Sequence, residues 1–156
     1  MENMDTPTAL IFSRQNVKSL PEGTDYQQTR KGAYIVTGSD EQFDVILVAS
    51  GSEVSTCVAG AELLRKDGVK VRVVSAPSEG LFRRQSKEYQ EQILPRDAKI
   101  FGLTAGLPVT IEGLVGANGK VFGLNSFGFS APYTVLDEKL GFTPENVYKQ
   151  VKAFLA

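Results

Sequence analysis

The chain has 156 residues, 42% of them apolar, which suffices for the core of one domain, with or without an arm. Because 17 Lys and Arg residues nearly balance 18 Asp and Glu residues, the net charge of -1 disfavours a long-range attraction to nucleic acid or to an anionic membrane. With no histidine and one cysteine, the chain lacks the residues for a Ser–His or Cys–His nucleophile system, an internal disulfide or a usual zinc site.

The first thirty residues differ from the rest. Thr8–Phe12 is a short apolar run that predicts a strand, although no neighbouring segment offers it a partner. The polar stretch 13–31 contains Pro21 and Gly23 and predicts a linker. No apolar stretch near the amino terminus has the length or flanks of a signal peptide or a membrane span, so we expect a cytoplasmic protein. We therefore divide the chain into an arm, residues 1–31, and a domain, residues 32–156.

Regular signals of secondary structure begin at Ala33. The run 43–49 has a continuous apolar centre, which is typical of a strand covered on both faces. Helices are marked by apolar residues at helical spacing and by caps, as where Ser50 and Glu53 form a Ser-x-x-Glu capping pattern. In chain order we predict a strand at 33–37, a strand at 43–49, a helix from the Ser50–Glu53 turn to Gly68, a strand at 69–74, a helix at 86–94, a strand at 99–103, one or two helical turns at 110–115, a strand at 120–124, a helix capped by Ser130 and a helix capped by Thr143.

The last of these helices has the strongest start signal in the chain. Thr143 is a favoured N-cap, Pro144 occupies the first helical position, and Glu145 lies in the first turn. We expect its buried stripe to consist of Val147, Val151, Phe154 and Leu155.

The alternation of strands and helices predicts an α/β fold. We expect three layers, α/β/α, around a five-stranded mostly parallel sheet. The strand, helix and second strand between residues 43 and 74 form a βαβ unit, and such crossovers are right-handed in nearly all cases. The first strand should be the antiparallel exception, because the turn near Gly38 that joins it to the second strand is too short for a parallel connection.

Three motifs resemble binding sites but have simpler structural explanations. The Ser50–Glu53 turn lacks the glycine spacing of a dinucleotide fingerprint and the lysine of a P-loop, and Glu53 would repel an anion, so we interpret it as a helix cap. Gly116–Gly119 is interpreted as a turn that needs positive φ, not as a phosphate cradle. Cys57 lies on an apolar helix face and is interpreted as a buried small hydrophobe.

Two pairs of larger side chains receive a similar interpretation. The adjacent Arg83 and Arg84 would point in different directions on any regular element, which favours a solvated loop. Phe127 and Phe129 flank Gly128 and predict core packing or a subunit contact, in preference to a platform for a ligand.

Arg14 is the one candidate binding residue. It directly follows the predicted strand 8–12, and strand ends are where α/β proteins expose ligand-binding groups. Its guanidinium could hold a phosphate bidentately, although the local sequence by itself favours an ordinary surface arginine. We predict no catalytic, cofactor-binding or metal-binding residue in this chain.

Six blocks of the sequence resemble, in order, the end of the middle domain and the last domain of the transketolases. The first contains a Ser-Arg-Gln signature at residues 13–15, directly after an apolar run. The blocks are Thr6–Asn16, Val48–Val54, Val71–Ser78, Ile93–Pro95, Phe127–Pro132 and Leu140–Thr143. This resemblance extends over nearly the whole chain and implies the fold of the transketolase C-terminal domain, with residues 1–31 as the end of a middle-domain strand plus a linker arm.

The resemblance also implies a function. Transketolases transfer a two-carbon ketol unit between sugar phosphates in the pentose phosphate pathway, using thiamine diphosphate and a divalent metal, Mg or Ca, and they work as homodimers. In that family the arginine of the Ser-Arg-Gln motif contacts the substrate phosphate, and the matching residue here is Arg14. A planar cation at a strand end suits that role.

The family's cofactor motif, activating glutamate and catalytic histidines belong to earlier segments, and none of them has a counterpart in this sequence. The resemblance therefore implies a non-catalytic portion that works with the remaining transketolase domains, either in one chain or as a separate N-terminal subunit. An alternative from another class is a free-standing α/β module, regulatory or ligand-binding, with a small ligand at the carboxyl ends of its strands, or the matching domain of another thiamine diphosphate enzyme.

Overall fold

A computed structural model shows the fold and describes residues 7–13, 15–38 and 42–156. Within these ranges the chain forms one 3-10 helix, five strands and six α-helices. The 3-10 helix is Tyr26–Lys31; the strands are β1 Tyr34–Thr37, β2 Val45–Ala49, β3 Val71–Ser75, β4 Ile100–Leu103 and β5 Lys120–Phe122; the helices are α1 Glu53–Lys66, α2 Glu79–Arg83, α3 Lys87–Ile93, α4 Val109–Val115, α5 Tyr133–Leu140 and α6 Pro144–Leu155.

The five strands form one sheet in the order β1-β3-β2-β4-β5. β1 runs antiparallel to β3, and the other neighbours are parallel, which confirms the predicted fold class. The short turn between β1 and β2 had implied that these two strands pair with each other, and that was wrong. Strand β2 bonds to β3 on one side and to β4 on the other, so it has no free edge for β1, which pairs with the outer edge of β3 instead.

The sheet is covered on both faces. Along β2, Val45, Leu47 and Ala49 belong to one core, which includes residues of α1 and α6. Ile46 and Val48 belong to the opposite core, which includes residues of α2, α3 and α4. All five side chains are buried, so the continuous apolar run seen in the sequence has the cause that we expected.

Helices α1 and α6 pack closely on each other. A β-carbon at Gly60 of α1 would lie 2.8 Å from Cγ1 of Val147 on α6, so this position accommodates glycine because the two helices approach so nearly. The predicted start of α6 is confirmed, since Thr143 Oγ1 accepts a hydrogen bond of 3.3 Å from the backbone N–H of Asn146. Of the predicted buried stripe, Val147 and Val151 are buried, whereas Phe154 and Leu155, in the last turn, are only partly buried against the core.

Two predicted caps are wrong. Helix α1 is flanked by Ser52, not Ser50, and its first turn has no side-chain cap; the Ser52 hydroxyl donates 3.1 Å to the Glu53 carboxylate instead. Helix α5 begins after Pro132, not after Ser130. Gly51, in the turn before α1, has a φ of +64°, which glycine adopts readily, and Pro132, before α5, has its φ restricted by its ring.

The predicted strand at Thr8–Phe12 is also wrong in this structure. Residues 7–13 form no strand, and the side chains of Leu10, Ile11 and Phe12 are 60%, 94% and 82% exposed. A strand is held by hydrogen bonds to a neighbour, and none of the described strands lies beside this run. Farther along the arm, Leu20 packs against the core under α1. None of the described helices is long and apolar enough to cross a bilayer.

Candidate functional site

A cleft of about 580 Å³ lies at the carboxyl end of the parallel strands. The start of α1, the loop after β4, the loop after β5 and helix α5 form its walls. This edge is where open α/β sheets bind ligands, because the loops that follow the strands diverge there. Residues that matter for its chemistry are Ser13, Gln15, Glu53, Phe129, Tyr133 and Asp137.

The arm reaches this cleft. Ser13 and Gln15 line it, and Ser13 Oγ lies 3.7 Å from the position that a β-carbon would take on Gly51, in the turn after β2. Arg14, the candidate phosphate-binding residue, lies outside the described residues, so its assigned role remains a prediction. Its two neighbours in the chain are nevertheless at the edge of the sheet where such a role would be useful.

The cleft contains two carboxylates. Burial raises the pKa of Glu53, and repulsion from Asp137 adds to the rise, against the hydrogen bonds from its own backbone and from Ser52. Burial also raises the pKa of Asp137. Among the described lining residues there is no Lys or Arg, so this part of the wall would repel a phosphate. Any anion bound here needs a cation from another residue, and Arg14 is the candidate that the sequence offers.

We expect Glu53→Gln to raise the midpoint of thermal unfolding at pH 7. A carboxyl whose pKa is raised in the folded state ionises first in the unfolded state, so folding is penalised above the ordinary glutamate pKa of 4.5. The gain should therefore be present at pH 7 and vanish below about pH 4. Glu62→Gln, which makes the same change at an exposed position of the same helix, is the control. A loss of stability at pH 7 in Glu53→Gln would contradict this account of the carboxylate.

A second cleft, of about 620 Å³, adjoins the first. The arm residues 15–21 cover it from outside, and α1 and α5 form its floor. Gln15, Tyr133 and Asp137 line both clefts. Sequence reasoning did not find Asp137 as a site residue, because it lies far from Glu53 in the sequence and comes near it only in the folded chain.

Cys57 and the Gly116–Gly119 turn have the structural roles that the sequence predicted for them. Cys57 is fully buried, and burial raises the pKa of its thiol far above the ordinary value. Gly116 has a φ of +73°, and a β-carbon on Gly119 would come within 2.6 Å of the Ile100 carbonyl oxygen, so this turn requires glycine at both positions.

The arginine pair and the phenylalanine pair turned out differently. Arg83 is not in a loop: it lies in α2, pairs with Glu79 at 3.1 Å and donates to the Gly113 carbonyl oxygen of α4. The missed signal for α2 is Ser78, whose hydroxyl accepts a hydrogen bond from the Leu81 N–H as an N-cap. Phe127 and Phe129 belong to neither core, so the prediction of core packing is wrong for both, and a subunit contact remains the other interpretation.

The acidic residues that the structure describes form no cluster suited to a metal ion. Within residues 7–13, 15–38 and 42–156, no three His, Cys, Asp or Glu side chains lie close enough together to hold a metal ion. The donor groups in these described ranges therefore do not fit a divalent metal bound with a diphosphate.

Comparisons with known proteins agree with one another. A family model described as the transketolase-like TK C-terminal domain matches residues 32–143. The transketolase of Staphylococcus epidermidis, strain ATCC 35984, is 44% identical over 156 residues, which cover 98% of this chain and 24% of that protein. The chain thus spans about a quarter of the length of the curated relatives that it matches.

Solved structures give the same picture. Pichia stipitis transketolase in complex with sedoheptulose-7-phosphate superposes with a TM-score of 0.83 at 32% identity, covering 91% of this chain and 20% of that one. A split-gene transketolase, solved as an inactive β4 tetramer, superposes with a TM-score of 0.68 at 19% identity, covering 91% of this chain and 48% of that one. The likeness to the split-gene transketolase shows a shared fold.

Proposed function

The chain belongs to the transketolase family, in which it corresponds to the carboxy-terminal domain, and from this premise we propose that it serves an enzyme that transfers two-carbon ketol units between sugar phosphates in the cytoplasm. One observation supports this most: 98% of the chain matches a transketolase at 44% identity, yet the match covers 24% of that enzyme. The remainder of such an enzyme has to come from other polypeptide. We infer that the remainder is either the preceding domains in one chain or a separate N-terminal subunit.

In this proposal the chain carries no reactive centre. It has no histidine, and the described residues offer no metal site, so thiamine diphosphate and its Mg or Ca ion would be held by the other domains. We assign no chemical step to this chain. The chain supports a homodimer, and it places one cation in the substrate channel.

That cation is Arg14. Ser13 and Gln15 line the cleft at the carboxyl edge of the sheet, which supports placing a substrate phosphate nearby. The phosphorylated sugar in the Pichia stipitis transketolase complex supports the class of substrate. A guanidinium that binds the phosphate through two hydrogen bonds would orient the ketose. Its reacting carbon would then face the reactive centre that the other domains hold.

Reconstitution tests this function. The coding sequence beside that of this chain should first be read for the two preceding transketolase domains. A polypeptide that carries those two domains should then gain ketol transfer from a ketose phosphate to an aldose phosphate only when the 156-residue chain is added. A failure of the chain to restore any activity, with both polypeptides folded, would argue for the free-standing module instead.

A further inference from the structure

The loop between β5 and α5 exposes aromatic side chains. Phe127 is 97% exposed and Phe129 is 62% exposed, and both flank Gly128, whose missing β-carbon would meet no atom within 4 Å. There is therefore open space beside Gly128, between the two exposed rings. Tyr133 and Val135, at the start of α5, are also exposed. We call Phe127, Phe129, Tyr133 and Val135 the aromatic rim. Exposed apolar groups that lie near one another in the chain, as these do, are a feature of interaction surfaces.

The aromatic rim borders a negative cleft. Phe129 and Tyr133 line the same cleft as Glu53 and Asp137. The ion pairs within the described ranges are Arg83 with Glu79, Arg96 with Glu91, and Lys152 with Asp67, so neither cleft carboxylate has a cation among the described side chains. Partly buried carboxylates without a cation are costly, and a basic group on a partner would relieve that cost.

Two arm residues lie at the cleft that the aromatic rim borders. Ser13 and Gln15 line the cleft, and the exposed apolar residues Leu10, Ile11 and Phe12 lead up to it. In the curated relatives about three quarters of the length lies outside the segment matched here, because the match covers 24% of them. Polypeptide joined to the arm would thus be tethered next to the aromatic rim, at a high effective concentration.

We propose that the aromatic rim, together with Glu53 and Asp137, is the surface on which the preceding domains of a transketolase dock, with a basic side chain of those domains entering the cleft. This inference rests on the proposed function, since it names the face by which the chain joins the rest of the enzyme. A tethered partner needs little additional contact area there. A separate subunit depends on the surface alone, so its binding should be the more sensitive to changes in the rim.

Binding titrations with three variants, two double and one single, test the docking surface. The chain is titrated into a polypeptide that carries the two preceding domains, with heat and ketol transfer as readouts. We expect Phe127→Ala with Phe129→Ala, and separately Glu53→Gln with Asp137→Asn, each to weaken binding by about 10-fold or more, because central aromatic and charged groups dominate interfaces. Tyr26→Ala is the matched control: Tyr26 is 73% exposed, lies outside both clefts and should leave the affinity unchanged.

The possible outcomes separate the two claims. If the unaltered chain binds and restores activity but either double variant binds equally well, the docking surface is elsewhere while the proposed function stands. If the unaltered chain neither binds nor restores activity, the proposed function fails and this inference with it. If the chain alone forms a dimer that the phenylalanine variant abolishes, the occupant is a second copy and the proposal is overturned. Thermal unfolding of each variant verifies that its fold is intact.

Discussion

Replacement of Arg14 by alanine should raise the KM for a phosphorylated ketose donor by about 10- to 100-fold in an assembled transketolase that contains this chain. A hydrogen bond to a charged group contributes about 1.5–3 kcal/mol, and about 1.4 kcal/mol corresponds to a factor of ten. The loss should be confined to donors that carry a phosphate, because the guanidinium recognises that group and no other part of the sugar. Steady-state kinetics with a phosphorylated donor and with an unphosphorylated one measure the difference.

Two companion variants sharpen this test. Arg14→Lys keeps the charge but loses the planar fork, so it should recover part of the affinity for the phosphate. Arg84→Ala removes an exposed arginine at the end of α2 and should leave both donors unaffected. Equal KM values for the phosphorylated donor in Arg14→Ala and in the unaltered enzyme would remove Arg14 from the substrate channel.

Replacement of Phe101 by alanine should cost about 3–5 kcal/mol of the free energy of unfolding. Phe101 is fully buried on β4, where it is in register with Leu47 of β2 on one side and Lys120 of β5 on the other. The sheet cannot close on the space that its ring leaves, since both neighbouring strands are fixed by hydrogen bonds. Against a total stability of about 5–15 kcal/mol, this loss brings the chain near unfolding.

Thermal and urea unfolding measure that loss. For a chain of this size we expect the thermal midpoint to fall by about 6–20 °C. Phe127→Ala is the matched control, because it removes the same ring from a side chain that is 97% exposed, and it should shift stability by less than about 0.5 kcal/mol. Similar losses in the two variants would mean that β4 is not at the centre of the core.

The elements that sequence reasoning located best are those with local causes. Strand β2 is recognisable from five consecutive apolar residues, because it is buried on both faces. The start of α6 is recognisable from Thr143 followed by Pro144, because capping and backbone geometry are set within a few residues. Sheet order is not local. The short link between β1 and β2 indicated adjacency, yet β3 and β4 occupy both edges of β2, and only the complete sheet shows this.

The misplaced elements have an equally physical cause. The run 8–12 has the composition of a strand, but a strand without a neighbour has no hydrogen bonds to hold it. The helix α2 is five residues long and offers one capping residue, Ser78, as its signal. Short elements are decided by the packing around them, which a single sequence does not display.

The candidate site was predictable only in part. The Ser-Arg-Gln motif at residues 13–15 identifies Arg14, and the observed approach of Ser13 and Gln15 to the cleft supports that choice without testing it. Of the two cleft carboxylates, sequence reasoning singled out Glu53 alone. Asp137 lies near Glu53 only in the folded chain, where α5 places it at the cleft. The sequence around Phe127 and Phe129 did not show whether their side chains would be buried or exposed.

The central claim is that this polypeptide has no reactive centre of its own and depends on other domains for one. Titration calorimetry of thiamine diphosphate, with magnesium present, into the purified 156-residue chain tests it most directly. We predict no saturable heat, and no ketol transfer by the same sample. Tight, stoichiometric binding of thiamine diphosphate, or turnover without added protein, would contradict the claim.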